Sequence, residues 1–270
     1  MPITRPPSVV RPAFPWSRFS RAVVVLFSVF VCLRGVASAQ QPEEPTPLWD
    51  VQLGASFVGT SGNSETSSLG ANFEAHRRWP VWIIDGLATA VRTSEDDVQT
   101  AEQYMGAFRV RRKLTERISA TGGLKLERDR LAGFDLRSLL DGGLAYVLVR
   151  QPQWSLDGLT SLAWRHEEQV IGVTENEAEA VLGLSSKYLF GTAGDTTQRF
   201  TFYPNFSDST GYRSEAEVTA QAAMNKRLAL KFGFLWRYNH DPVPGFKRSD
   251  TTTTASIVVR WKSETPAPAP

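Results

Sequence analysis

The segment RLALKFGFLWRYN, residues 227–239, puts Leu228, Leu230, Phe232, Phe234, Trp236 and Tyr238 at every second position. Ala229, Lys231, Gly233, Leu235, Arg237 and Asn239 lie between them. Successive side chains of a β-strand point to opposite faces, so this segment predicts a ribbon with one apolar and one mostly polar side. The same two-residue period recurs over 49–57, 69–76, 82–90, 104–111, 118–127, 140–148, 154–165, 177–188, 200–206, 215–222 and 255–261. About twelve strands are predicted, an even number, separated by turn signals such as RWP, KLTE, RQPQ and MNKR. The connections after strands two, four, six and ten are very short. Those after strands one, seven and eleven are longer and more polar. FGTAGDTTQ, after strand eight, reads as a long loop and breaks that alternation.

An alternating face describes a soluble barrel with an apolar core as well as a membrane barrel with an apolar exterior. Three considerations favour the membrane barrel. Twelve strands enclose more space than eight, which side chains just fill, yet the apolar faces are rich in Ala and Gly. Aromatic residues also fall at two depths: Trp49, Trp82, Trp154, Tyr188 and Trp261 at one edge, and Phe57, Tyr104, Trp164, Tyr212, Trp236 and Tyr238 at the other. Trp154 and Trp164 share a face ten residues apart, which at ~3.3 Å per residue and ~40° tilt is ~25 Å along the normal, the height of a lipid-facing band. The expected membrane girdle is therefore Trp49, Trp82, Tyr104, Trp154, Trp164, Tyr188, Trp236, Tyr238 and Trp261. Finally, a closed barrel pairs every backbone group, as hydrocarbon requires. The expected fold is all-β, a transmembrane up-and-down antiparallel barrel over 48–261, with both termini on the periplasmic side.

The first forty residues change the reading of charge and compartment. Arg5, Arg11, Arg18 and Arg21 precede the apolar run AVVVLFSVFVCL and the small-residue site ASA at 37–39. That is the layout of a cleaved secretory signal peptide over 1–39, with too few apolar residues to span a bilayer. Residues 40–47 read as a flexible leader and 262–270 as a Pro-rich tail. Removing 1–39 takes five of the 30 bases and none of the 28 acids, so 25 face 28 and the net charge moves from +2 to −3. Nucleic-acid binding loses its support. Cys32 leaves with the signal, and the mature chain has no cysteine.

Four stretches, TSGNSETSSLGANFEA (60–75), ERDRLAGFDLRSLLDGGLAYVL (127–148), ENEAEAVLGL (175–184) and DPVPGFKRSDTTTTASIVV (241–259), carry a resemblance. In order and over about 48–261 they resemble the salt-induced outer-membrane protein family, the bacterial domain of unknown function 481. The resemblance implies an outer-membrane barrel of a Gram-negative cell and brings no substrate, cofactor or catalytic residue. One departure is the tail after Trp261, where many barrels end on an aromatic residue. The implied partners are outer-membrane lipid, lipopolysaccharide and the barrel-assembly machinery, with no nucleic acid.

Candidate chemistry is sparse. His76, His166 and His240 have no serine two residues away on the same face, and no Gly-x-Ser-x-Gly elbow occurs, so no enzyme is expected. Glu177 with Glu179, and Glu215 with Glu217, are better read as solvated wall than as metal ligands, and no cofactor is expected. The polar faces place the acids Asp50, Glu74, Asp85, Glu127, Asp141, Asp157, Glu177, Glu179, Glu215 and Glu217 in the lumen. They also place there the bases Arg109, Arg111, Lys125, Arg165, Lys187, Lys231, Arg237 and Arg260. Charges of both signs facing one cavity favour water within it. This permits a narrow passive channel for small solutes. It equally permits a non-conducting barrel serving envelope integrity or osmotic and salt adaptation, in which acids and bases interlock and close the lumen.

Overall fold

The computed structural model describes residues 48–62, 66–95, 98–208 and 211–263; the segments read above as signal peptide and leader, and most of the one read as a tail, lie outside them. Twelve strands follow one another: β1 (Trp49–Ser61), β2 (Thr66–Arg78), β3 (Trp82–Glu95), β4 (Val98–Lys113), β5 (Ile118–Asp129), β6 (Phe134–Arg150), β7 (Trp154–Gln169), β8 (Thr174–Leu189), β9 (Gly194–Tyr203), β10 (Arg213–Ala223), β11 (Leu228–Asn239) and β12 (Ser249–Lys262). Each pairs antiparallel with its sequence neighbours, and β12 returns to β1 to close the barrel. Closure leaves no edge strand, so every strand has a ladder on both sides.

The apolar face points outward. Leu53, Phe57, Leu69, Phe73, Phe108, Leu140, Leu162, Phe232 and Ile257 are all exposed, Leu69 and Leu162 by 76% and 68%. Such a band contradicts water as the surrounding solvent, because a soluble monomer rarely shows contiguous apolar patches beyond a few hundred Å². Trp82, Trp164 and Trp261 stand exposed at the band edges, while Trp49, Tyr104, Trp154, Tyr188, Trp236 and Tyr238 are half-buried there. The indole N–H groups find hydroxyls, Trp154 donating to Ser186 Oγ at 3.0 Å and Trp236 to Ser249 Oγ at 2.8 Å. This satisfies the polar handle of an amphipathic ring at an interface.

The end carrying Trp49 and Lys262, here the lower end, is closed by turns at 79–81, 114–117, 151–153, 190–193 and 224–227. At the upper end the connections 204–212 and 240–248 are the longest. Strand nine differs from its sequence-based expectation. It starts at Gly194, so the residues read as a loop at 190–198 reduce to a four-residue turn with Gly191 at φ +61°. Thr196 and Thr197 look like loop residues because polarity on both faces hides the period. They lie near the lower rim, where Thr196 Oγ1 donates to the Thr219 carbonyl at 2.9 Å. At its other end β9 stops at Tyr203 before Pro204, and Phe206 lies beyond it, 62% exposed.

Candidate functional site, the barrel lumen

The inner wall begins with a mixed chemistry that the alternation understated. Leu139, Ala163, Val181 and Tyr203, on β6 to β9, form an inward-facing apolar cluster with Leu159 packed against it. Around and above this cluster the wall is ionic.

The upper half of the lumen holds a connected charge network. Arg165 on β7 is its hub, donating from Nε to Glu179 at 2.7 Å and from Nη1 to Glu167 at 2.6 Å, and pairing through Nη2 with Glu175 and Glu177. Arg137 Nε reaches the same Glu167 at 2.5 Å, and its guanidinium lies 3.8 Å from the Phe134 ring centroid. Glu179, fully buried, also accepts from Arg213 at 2.7 Å, and Arg213 in turn lies over the Tyr203 ring. Tyr203 donates to Glu215 at 3.1 Å. Such burial of charge is tolerable because each ion meets counter-ions and donors in good geometry.

Two pairs then cross the barrel. Lys125 on β5 meets Glu215 on β10 at 3.2 Å while also holding Glu127 at 3.1 Å. Arg237 on β11 meets Asp129 on β5 at 3.3 Å, and these strands stand six apart in either direction around the ring. A circular ring of twelve strands spaced ~4.8 Å and tilted ~40° has a diameter of roughly 24 Å. Extended Lys–Glu or Arg–Asp pairs close a Cα gap of roughly 14 Å at most. The barrel is therefore flattened along the β5-to-β10/β11 direction, and the crossing pairs are struts on its short axis.

The upper mouth is covered from the same direction. Connection 240–248 brings Val243, 5% exposed, and Phe246 to Gly133 on the opposite wall. Gly133 has φ +97°, a backbone conformation that favours glycine, and a Cβ there would lie 3.1 Å from Val243, a tight contact. Beneath the loop is a cavity of about 50 Å³, lined by Arg165, Glu175, Glu177, Arg213, Asn239 and Asp241 among others. It is water-sized.

The lower half is wetter and paired differently. Arg109 grips Asp141 through two bonds of 2.6 and 2.9 Å, and a Cβ on Gly123 between them would strike both partners. Asp85 accepts from Arg111 at 2.5 Å and contacts His76 at 2.7 Å. Lys231 pairs with Glu74, Arg199 with Glu217 at 2.8 Å, Arg150 with Asp157 at 3.4 Å, Lys187 with Asp195 at 3.4 Å and Lys262 with Asp50 at 3.6 Å. Arg260 lies on the lower inner wall of β12. The other two histidines are elsewhere: His166 faces outward and contacts Asn176 at 2.8 Å, and His240 stacks on Tyr212 at the upper rim.

Sequence reasoning missed Asp129, Arg137, Glu167, Glu175, Arg199 and Arg213. Each lies beyond the strand bounds expected from apolar periodicity, Arg199 because the start of β9 reads as loop and the others because they stand on strand ends longer than expected. The parity of Asp141, Arg165, Glu177 and Glu215, extended by two residues or more, would have found most of them.

A family profile described as "Protein of unknown function, DUF481" matches residues 51–261. The chain belongs to this family. It is 24% identical over 236 residues to "Uncharacterized protein YdiY" of Escherichia coli (strain K12), covering 85% of this chain and 88% of that one. Its fold is similar to the NanC porin, with TM-score 0.53 and 10% identity over 77% of this chain and 98% of that chain. It is also similar to the COG4313 outer membrane channel from Pseudomonas putida F1, with TM-score 0.51 and 12% identity over 83% and 100%. At such identities the likeness is one of fold.

Proposed function

We propose that this member of the DUF481 family is an outer-membrane barrel carrying a narrow aqueous path for ions and small solutes. It would be exported through a cleaved signal peptide and seated in lipid and lipopolysaccharide by the barrel-assembly machinery. The observation that carries the reading is the inner wall: charged side chains run from the lower rim to the mouth, and in the lower half they stay part-exposed, as water along the wall requires. The path narrows at the Lys125–Glu215 and Arg237–Asp129 struts, which would set its size limit.

The same struts, with the loop above them, favour a second reading, a non-conducting barrel that supports envelope integrity. Planar-bilayer recording separates the two. The channel reading expects small unitary currents that grow when Lys125→Gln and Arg237→Gln are combined. Background current from both the native and the doubly substituted protein overturns it in favour of the structural barrel.

A further inference from the structure

The two halves of the lumen balance their charges by different rules. In the lower half every paired carboxylate named above has its own base, one to one. Arg78, Lys113 and Arg260 face the same space by parity and have no carboxylate within ion-pair distance among the described residues. Arg78 lies within electrostatic range of Asp85 and Asp50 as well as of Arg111 and Arg150, and the Nε groups of Arg111 and Arg260, like that of Arg213 in the upper half, are buried without a hydrogen-bond partner. In the upper half the balance is reversed: seven paired carboxylates, Glu127, Asp129, Glu167, Glu175, Glu177, Glu179 and Glu215, share five bases, Lys125, Arg137, Arg165, Arg213 and Arg237, and Asp241 adds to the lining of the mouth.

Hydration differs in step. The side chains of Arg111 and Arg199 are 31% and 51% exposed, against 6% for Arg165 and 0% for Glu179. We infer that the lower half of the lumen is an anion-binding antechamber, cationic and wet, beneath an acidic upper gate. Guanidinium groups with free donors suit small carboxylate- or phosphate-bearing anions, which would gather there and be held back above. The antechamber deepens the channel reading, in which it makes the pore bipolar and its current rectifying, but its potential exists whether or not the barrel conducts.

The absence of cysteine from the mature chain allows a direct test. Ser119→Cys places a thiol opposite Lys113 on the lower wall, and Asn239→Cys places one in the mouth cavity. Each folded protein is reacted with an anionic sulfonatoethyl and a cationic trimethylammonioethyl methanethiosulfonate, and the rate ratio is normalised to a free thiol. Three surplus charges at ~10 Å raise the anionic-to-cationic ratio roughly fivefold at 0.1 M salt and about twentyfold at 0.01 M. The ratio at position 239 is expected below one. Equal ratios at the two positions, or no salt dependence, overturn the inference. Combining Arg78→Gln, Lys113→Gln and Arg260→Gln should return the lower ratio to about one; should that variant not fold, the two-position comparison decides alone. A barrel silent in bilayers yet showing the ratios loses the channel reading and keeps the antechamber. A conducting barrel with a linear current and equal ratios does the reverse.

Discussion

Glu179→Gln tests whether the upper network stabilises the barrel. The substitution keeps size and shape but removes the charge that Arg165 and Arg213 share, each at 2.7 Å. Glu179 is 0% exposed and its partners 6% and 8%, so water cannot replace the lost interaction. Arg165 retains Glu167 and Glu177, whereas Arg213 has no second carboxylate within ion-pair distance among the described residues. The loss therefore concentrates on one buried cation, and breaking a buried pair in this way costs about 3–5 kcal/mol. At 3 kcal/mol the unfolding equilibrium shifts by roughly 150-fold. Reversible urea unfolding in lipid vesicles, followed by tryptophan fluorescence and by heat-modifiable gel mobility, reads this directly. Glu168→Gln, outward and half-exposed, is the control and should change stability by under ~1 kcal/mol. A Glu179→Gln loss no larger than that of Glu168→Gln would refute the reasoning, because the network would then be no more than a solvated surface.

Further outcomes follow from the wall and the faces. Leu162→Arg, in the middle of the lipid-facing band, should destabilise by about 2–4 kcal/mol in vesicles, whereas Thr197→Arg on the inner wall should cost much less; equal losses would invert the assigned faces. Gly123→Val should part Arg109 from Asp141, since its Cβ would lie 2.6 Å from both, and lower the thermal midpoint of the barrel; Gly122→Ala, with only a carbonyl 3.8 Å away, should leave it unchanged. A fall for both, or for neither, removes the steric argument.

The alternation itself made most of the architecture legible. Phe232 and Phe234 against Lys231 and Gly233 required strand geometry. The parity of Glu179, Glu215 and Arg237 likewise put them on the face opposite the apolar ribbon. The failures were at strand ends. Thr196 and Thr197 look like loop because both faces are polar near the rim, and Glu167 gives no signal because its outward neighbours, His166 and Glu168, are polar.

What the sequence determined alone is what depends on a period of two: the strand number and the face a residue occupies within the belt. That information is local, because neighbouring side chains on one strand must diverge. Only the tertiary structure decided that Arg237 meets Asp129 across the lumen, that Val243 reaches Gly133 and that the ring is flattened. Those contacts depend on tilt and stagger summed over six successive ladders, and a small change in any one of them brings a different side chain to the opposite wall.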